Sequence, residues 1–79
     1  MIKAYILISM LPGYVKKSIE QMQKIEFIEK ISVVAGQYDV IIRVLVEDLE
    51  ALLAITNQLQ MIPGIEKTTT QVIEKEIVL

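Results

Sequence analysis

The feature that most constrains this chain is an internal repeat. Laid over itself with an offset of 37, residues 2–38 fall on residues 39–75. Ile2-Lys3-Ala4-Tyr5-Ile6-Leu7-Ile8 falls on Asp39-Val40-Ile41-Ile42-Arg43-Val44-Leu45. Ile25-Glu26-Phe27-Ile28-Glu29-Lys30 falls on Ile62-Pro63-Gly64-Ile65-Glu66-Lys67, sharing Ile, Ile, Glu and Lys. The seam is Gly36-Gln37-Tyr38-Asp39, which lies between the apolar runs Ile31–Ala35 and Val40–Val46. Between two β-like runs, Gly-x-Tyr-Asp reads as a hairpin connection: Gly supplies a positive φ, and Asp bonds its own backbone or opens a strand.

Each half carries the same order of patterns. Ile2 to Met10 is rich in Ile and Leu and stops at Pro12-Gly13, which predicts a strand ending in a turn. From Tyr14 to Lys24 the period changes. Val15, Ile19 and Met22 recur at i, i+4, i+7 while Lys, Glu and Gln fill the other face, predicting an amphipathic helix. Phe27 to Ala35 returns to β character, and Val40 to Val46 is the most β-branched run. Glu47-Asp48-Leu49-Glu50 then places acids in a first helical turn, where the macrodipole favours them. Leu49, Leu52, Leu53, Thr56 and Leu59 predict a second helical stripe with Ile55 beside it, and Pro63-Gly64 ends the segment. Ile65 to Ile77 reads as a long final strand.

The string βαβ followed by βαβ within 79 residues predicts an α+β, ferredoxin-like βαββαβ plait. Its four-stranded antiparallel sheet would carry two helices on one face and have right-handed crossovers. The first and third strands are the most apolar and suit the sheet centre. The second and fourth carry Lys30, Ser32, Lys67, Gln71 and Lys75, which guard an edge against further pairing. Two helices cover only one face, and a half-solvated antiparallel sheet alternates apolar and polar residues. Ile6-Leu7-Ile8, Val40-Ile41-Ile42 and Val44-Leu45-Val46 are apolar on both faces, so a second copy of the sheet is the simplest cover, giving a sheet-to-sheet dimer. Size points the same way: residues 1–79 read as one domain, which alone buries only about 60–65% of its unfolded surface, although 53% of its residues are hydrophobic.

Composition removes several chemistries. With no His and no Cys, the commonest general base, the thiol nucleophile, thiolate metal sites and disulfides are all absent. The acids never cluster at a metal-loop spacing, so no metal or cofactor is expected. Net charge is −2 and the eight Lys and Arg are scattered, so there is no electrostatic footprint for nucleic acid. The central strands offer only Tyr5 where an RNA-binding sheet needs several aromatics. No run approaches the ~20 apolar residues of a membrane span, and no signal peptide is visible at Met1-Ile2-Lys3, so the expected location is the cytoplasm.

What remains is a polar set among apolar surface: Gly36, Gln37, Tyr38, Asp39 and Thr68-Thr69-Thr70. Asp39 can pair with an ammonium group, the Gly36 and Gln37 amides can hold a carboxylate, and Thr hydroxyls can do either. Those are the groups a zwitterionic amino acid requires. The same residues also have a plain reading, in which Asp39 stabilises the turn, Tyr38 packs and the threonines are good β formers. Alternation puts Thr68 and Thr70 on one face and Thr69 on the other.

The chain resembles the effector-binding (RAM) domain of the leucine-responsive, Lrp/AsnC, family of transcription regulators. The matching pieces are Ala4-Tyr5-Ile6-Leu7-Ile8 ahead of Pro12-Gly13, Gly36-x-Tyr38-Asp39 running into Val44-x-Val46-x-Asp48-Leu49, and Ile62-Pro63-Gly64-Ile65-Glu66 followed by Thr68-Thr69-Thr70. The likeness covers essentially the whole sequence. Regulators of the family carry a helix-turn-helix domain that this sequence does not show, so the expected product is a stand-alone module without direct DNA binding. The resemblance implies a non-enzymatic, amino-acid-binding regulatory and oligomerisation module. It implies dimers that assemble into rings, commonly octamers or decamers, and possible co-assembly with full-length regulators. The effector would lie between dimers, against Gly36, Gln37, Tyr38 and Asp39 and the last-strand residues Thr68 and Thr70. A purely structural assembly domain and a small dimeric plait enzyme are the rival readings.

Overall fold

The computed structural model describes every residue from Met1 to Leu79. Six elements follow the order βαββαβ: β1 (Ile2–Met10), α1 (Val15–Met22), β2 (Ile28–Val33), β3 (Val40–Val46), α2 (Leu49–Gln60) and β4 (Ile65–Val72). The strands form one antiparallel sheet in the order β2-β3-β1-β4, with the two most apolar strands at its centre. This is the ferredoxin-like plait.

Period-2 alternation decides which side chains meet the helices. Ala4, Ile6, Ile8 and Met10 of β1 and Val40, Ile42, Val44 and Val46 of β3 are buried on the helix side. They pair across the sheet as Ala4 with Val44, Ile6 with Ile42 and Ile8 with Val40. Met22 closes this core from α1, and Leu52, Ile55 and Leu59 close it from α2. Ser18 is also buried, its hydroxyl donating to the Pro63 carbonyl at 3.1 Å and so tying α1 to the end of α2. Asp48 caps α2, its carboxylate accepting from the Ala51 amide at 2.8 Å.

Three sequence expectations are corrected. Leu49 and Leu53 do not belong to the buried stripe of α2; they are 63% and 60% exposed. The helix instead turns the Leu52, Ile55, Leu59 row inward, a row that Ile62 continues past the helix end. At ~100° per residue, Leu49 and Leu53 then lie on the flank. β2 is shorter than Phe27–Ala35, because Phe27 leaves the extended region (φ 71°) and β3 begins only at Val40. β4 stops at Val72 and not at Ile77: Val72 pairs with Ala4, the Ile73 amide makes a last bond to the Lys3 carbonyl at 2.9 Å, and β1 then runs out.

The 37-residue repeat is visible in the backbone. Lys24 donates to Gln21 at 3.1 Å and Met61 to Gln58 at 3.2 Å; Ile25 donates to Met22 and Ile62 to Leu59, both at 3.0 Å. Each helix is followed by a residue with positive φ, Phe27 (71°) or Gly64 (93°). Each edge strand then bulges by one residue, Glu29 against β3 and Glu66 against β1. The halves differ in what covers the junction. A Cβ on Gly64 would overlap the side chain of Tyr14, so glycine is required there for close approach as well as for its φ.

Candidate functional site

The hairpin between β2 and β3 is a six-residue loop, Val34 to Asp39, closed by the Val34 amide donating to the Asp39 carbonyl at 3.0 Å. Gly36 holds φ at 145°, a region that side chains avoid, and nothing crowds it. Gly36 and Gln37 are exposed, while Tyr38 and Asp39 are half-buried. The amides of Gly36, Gln37 and Tyr38 donate to no group in the chain. Three successive amides without an internal acceptor leave donors that an anion can engage.

Asp39 joins the loop to the rest of the sheet. Its amide donates to the Ile8 carbonyl at 2.9 Å, and its Oδ2 accepts from the Met10 amide at 2.7 Å. Met10 lies two residues past Ile8, whose partner Val40 is the first residue of β3, so the carboxylate satisfies an amide that β3 does not reach. The structural role of Asp39 is therefore present. Its Oδ1 has no hydrogen-bond partner and is not buried, which leaves one carboxylate oxygen free for a cation. The Met10 amide could not be read from sequence, because nothing in the residue type signals a backbone donor left beyond the end of the neighbouring strand.

Thr68 pairs with Ile8, in the row that contains Val40, and Thr70 pairs with Ile6 in the row that contains Ile42. Both register positions belong to the helix side of the sheet, and Thr69, opposite Leu7, belongs to the open side. Thr68 thus lies at the same end of the sheet as Asp39 but two strand spacings away, roughly 9–10 Å across β1. Thr70 lies a further pleat along. Thr68 lines a shallow cleft with Gln60, Ile65, Glu66 and Lys67, and the loop residues do not line it. One chain therefore does not gather Gly36–Asp39, Thr68 and Thr70 around one ligand.

The open face holds a second polar group. Arg43 extends from the centre of β3, with Nε 3.3 Å from Glu29 and Nη2 3.6 Å from Glu76, and Glu76 also meets Lys3 Nζ at 3.3 Å. Arg43 Nε is buried and lacks a well-directed acceptor. Arg43 lines a cleft with Tyr5, Lys30, Ser32 and Ile41. The sequence does contain the signal for this cluster, since Arg43 is the one charged residue in the Val40–Val46 run. No group of three or more His, Cys, Asp or Glu side chains is arranged to hold a metal ion. No helix is long and apolar enough to cross a membrane.

Comparison with known proteins places this geometry. The model of the Lrp/AsnC ligand binding domain matches residues 3–79. Among solved structures, the protein TTHA0845 of Thermus thermophilus superposes with a TM-score of 0.92 at 25% identity, covering 100% of both chains. FFRP-DM1 gives 0.85 at 28% identity, covering 92% of this chain and 99% of the other. A feast or famine regulatory protein from M. tuberculosis, solved in complex with L-methionine, gives 0.85 at 20% identity. That regulator is longer: the match covers 100% of this chain but 54% of the other. No curated protein sequence matches the chain. With its ferredoxin-like plait and a family match over residues 3–79, the chain belongs to the Lrp/AsnC ligand-binding domain family.

Proposed function

We propose that this protein is an amino-acid-sensing regulatory and oligomerisation module of the Lrp/AsnC type, within a family of non-enzymatic regulators. The observation that carries this reading is the Val34–Asp39 loop, with free amides at Gly36, Gln37 and Tyr38 beside a free carboxylate oxygen on Asp39. An α-amino acid offers the complementary pair, a carboxylate for the amides and an ammonium for Asp39 Oδ1. The methionine complex of the M. tuberculosis relative shows that a regulator sharing this fold accepts such a ligand. Because Thr68 and Thr70 stand apart from the loop within one chain, the pocket is completed between copies, the loop of one facing the last strand of another. The open sheet face packs on a second copy, these dimers join into a higher ring, and full-length regulators of the family can enter the same assembly in the cytoplasm.

Isothermal titration of the oligomer against the twenty amino acids tests the sensing function. Heat of binding is expected for at least one of them, lost in Asp39→Asn and in a Thr68→Val variant. Absence of heat and of thermal stabilisation with every amino acid at millimolar ligand would leave only an assembly role.

A further inference from the structure

We propose that Glu74–Leu79 is an arm that clasps a second copy of this chain, held at its root by Glu76 and seated through Ile77, Val78 and Leu79 on the partner's open sheet face. The inference rests on the sheet-to-sheet dimer of the preceding section and adds the element that secures it.

The segment has lost its strand partner once Ile73 has bonded to Lys3, yet it does not leave the sheet. Glu76 reaches back over both central strands, 3.3 Å from Lys3 of β1 and 3.6 Å from Arg43 of β3. Both cations stand on the open face, so the latch directs the chain along that face. Directly beyond it come three consecutive apolar side chains, Ile77, Val78 and Leu79, at 71%, 87% and 113% exposure. None of them belongs to the hydrophobic core or packs against it. Three adjoining aliphatic residues held in water by an ion-paired root are the pattern of a docking segment and not of a solvated tail.

A second copy fits as the occupant on two counts. The open face carries the half-buried residues Leu7, Ile41 and Leu45, an aliphatic surface of the kind the arm ends in. Its charge suits the arm outside the latch: Lys30 and Lys67 occupy open-face register positions, and Glu74 is the acid of the arm that the latch leaves free. A two-fold axis makes such a contact reciprocal, so each arm crosses the other subunit and one surface patch supplies both halves of the interface.

Residues 1–79 contain no cysteine, which allows a direct test by crosslinking. Chains carrying Val78→Cys are mixed with chains carrying Ile41→Cys under mild oxidation. A disulfide-linked heterodimer is the expected product, and its absence under conditions where the mixture is dimeric overturns the arm. In parallel, sedimentation velocity compares the wild type with Ile77→Ser/Val78→Ser/Leu79→Ser, a variant that leaves the core untouched. The dimer dissociation constant is expected to rise at least tenfold. An unchanged constant overturns the arm while leaving the sheet-to-sheet dimer in place. A wild type that stays monomeric at every concentration overturns both.

Discussion

Asp39 combines a structural and a proposed binding role in one carboxylate, and the two can be separated by substitution. Asp39→Ala leaves the part-buried Met10 amide without its acceptor, at an expected cost of about 1–3 kcal/mol in urea unfolding. Asp39→Asn keeps an oxygen for that amide and removes the charge, so it should cost less than about 1 kcal/mol while abolishing recognition of an ammonium group. A titration in which the Asn variant binds amino acids as the wild type does would assign Asp39 to structure alone. The junctions after the helices give a second pair of tests. Gly64→Ala forces a Cβ into Tyr14 at a φ that side chains rarely adopt, and a loss of about 3 kcal/mol or more is expected. Phe27→Gly relieves about 1–2 kcal/mol of left-handed strain and costs about 0.5–1 kcal/mol of unfolded-state entropy. The ring is 60% exposed, so a small net gain is expected in the isolated chain. A loss instead would show that assembly buries the ring. Neither junction was legible as such in the sequence, where Phe27 reads as an ordinary strand residue. The repeat places it opposite Gly64, and that alignment is the clue to its backbone.

At the scale of elements, most of the plait follows from periodicity because the strongest patterns belong to buried faces. The even-numbered residues of β1 and β3 must all face the helices, and the Pro12-Gly13 and Pro63-Gly64 pairs mark where strand and helix end. The stripe of α2 was ambiguous for a physical reason. Seven apolar residues in twelve leave two overlapping faces, and only tertiary packing chooses between them. The choice is testable on adjacent leucines. Leu52, 6% exposed and in the core, should cost about 2–4 kcal/mol on substitution by Ala. Leu53, 60% exposed, should cost less than about 0.5 kcal/mol. Equal losses at the two positions, measured by thermal or urea unfolding, would mean that the flank of α2 is covered in the assembled protein. The length of β4 was beyond periodicity, since Val72 to Ile77 keeps β-forming residues throughout. What ends the strand is the start of β1 at Ile2, a property of its neighbour.

For the whole molecule, the proposed assembly accounts at once for the dispersed candidate site and for the uncovered open face. Only thirteen apolar residues form the core of a chain with 53% hydrophobic residues, and the loop and the threonines of the site lie on opposite sides of β1. Sequence patterning registers both surpluses but cannot say where a partner lies, because a contact between copies leaves no period within one chain. If the open face packs on a second copy, folding and association are linked. The melting temperature of the wild type should then rise with protein concentration, by about 5–10 °C over a hundredfold range for a dimer of this size. Ile41 stands on the open face of central strand β3, opposite Leu7 and close to Arg43 in sequence, so Ile41→Lys sets a further cation among those already there. That variant should sediment as a monomer, melt lower than the wild type and lose the concentration dependence, while its circular dichroism spectrum keeps the α+β form. It should also stop responding to amino acids, since a pocket shared between copies disappears with the assembly. An Ile41→Lys monomer that binds an amino acid as the wild type does would place the whole site within one chain and remove the link between assembly and sensing.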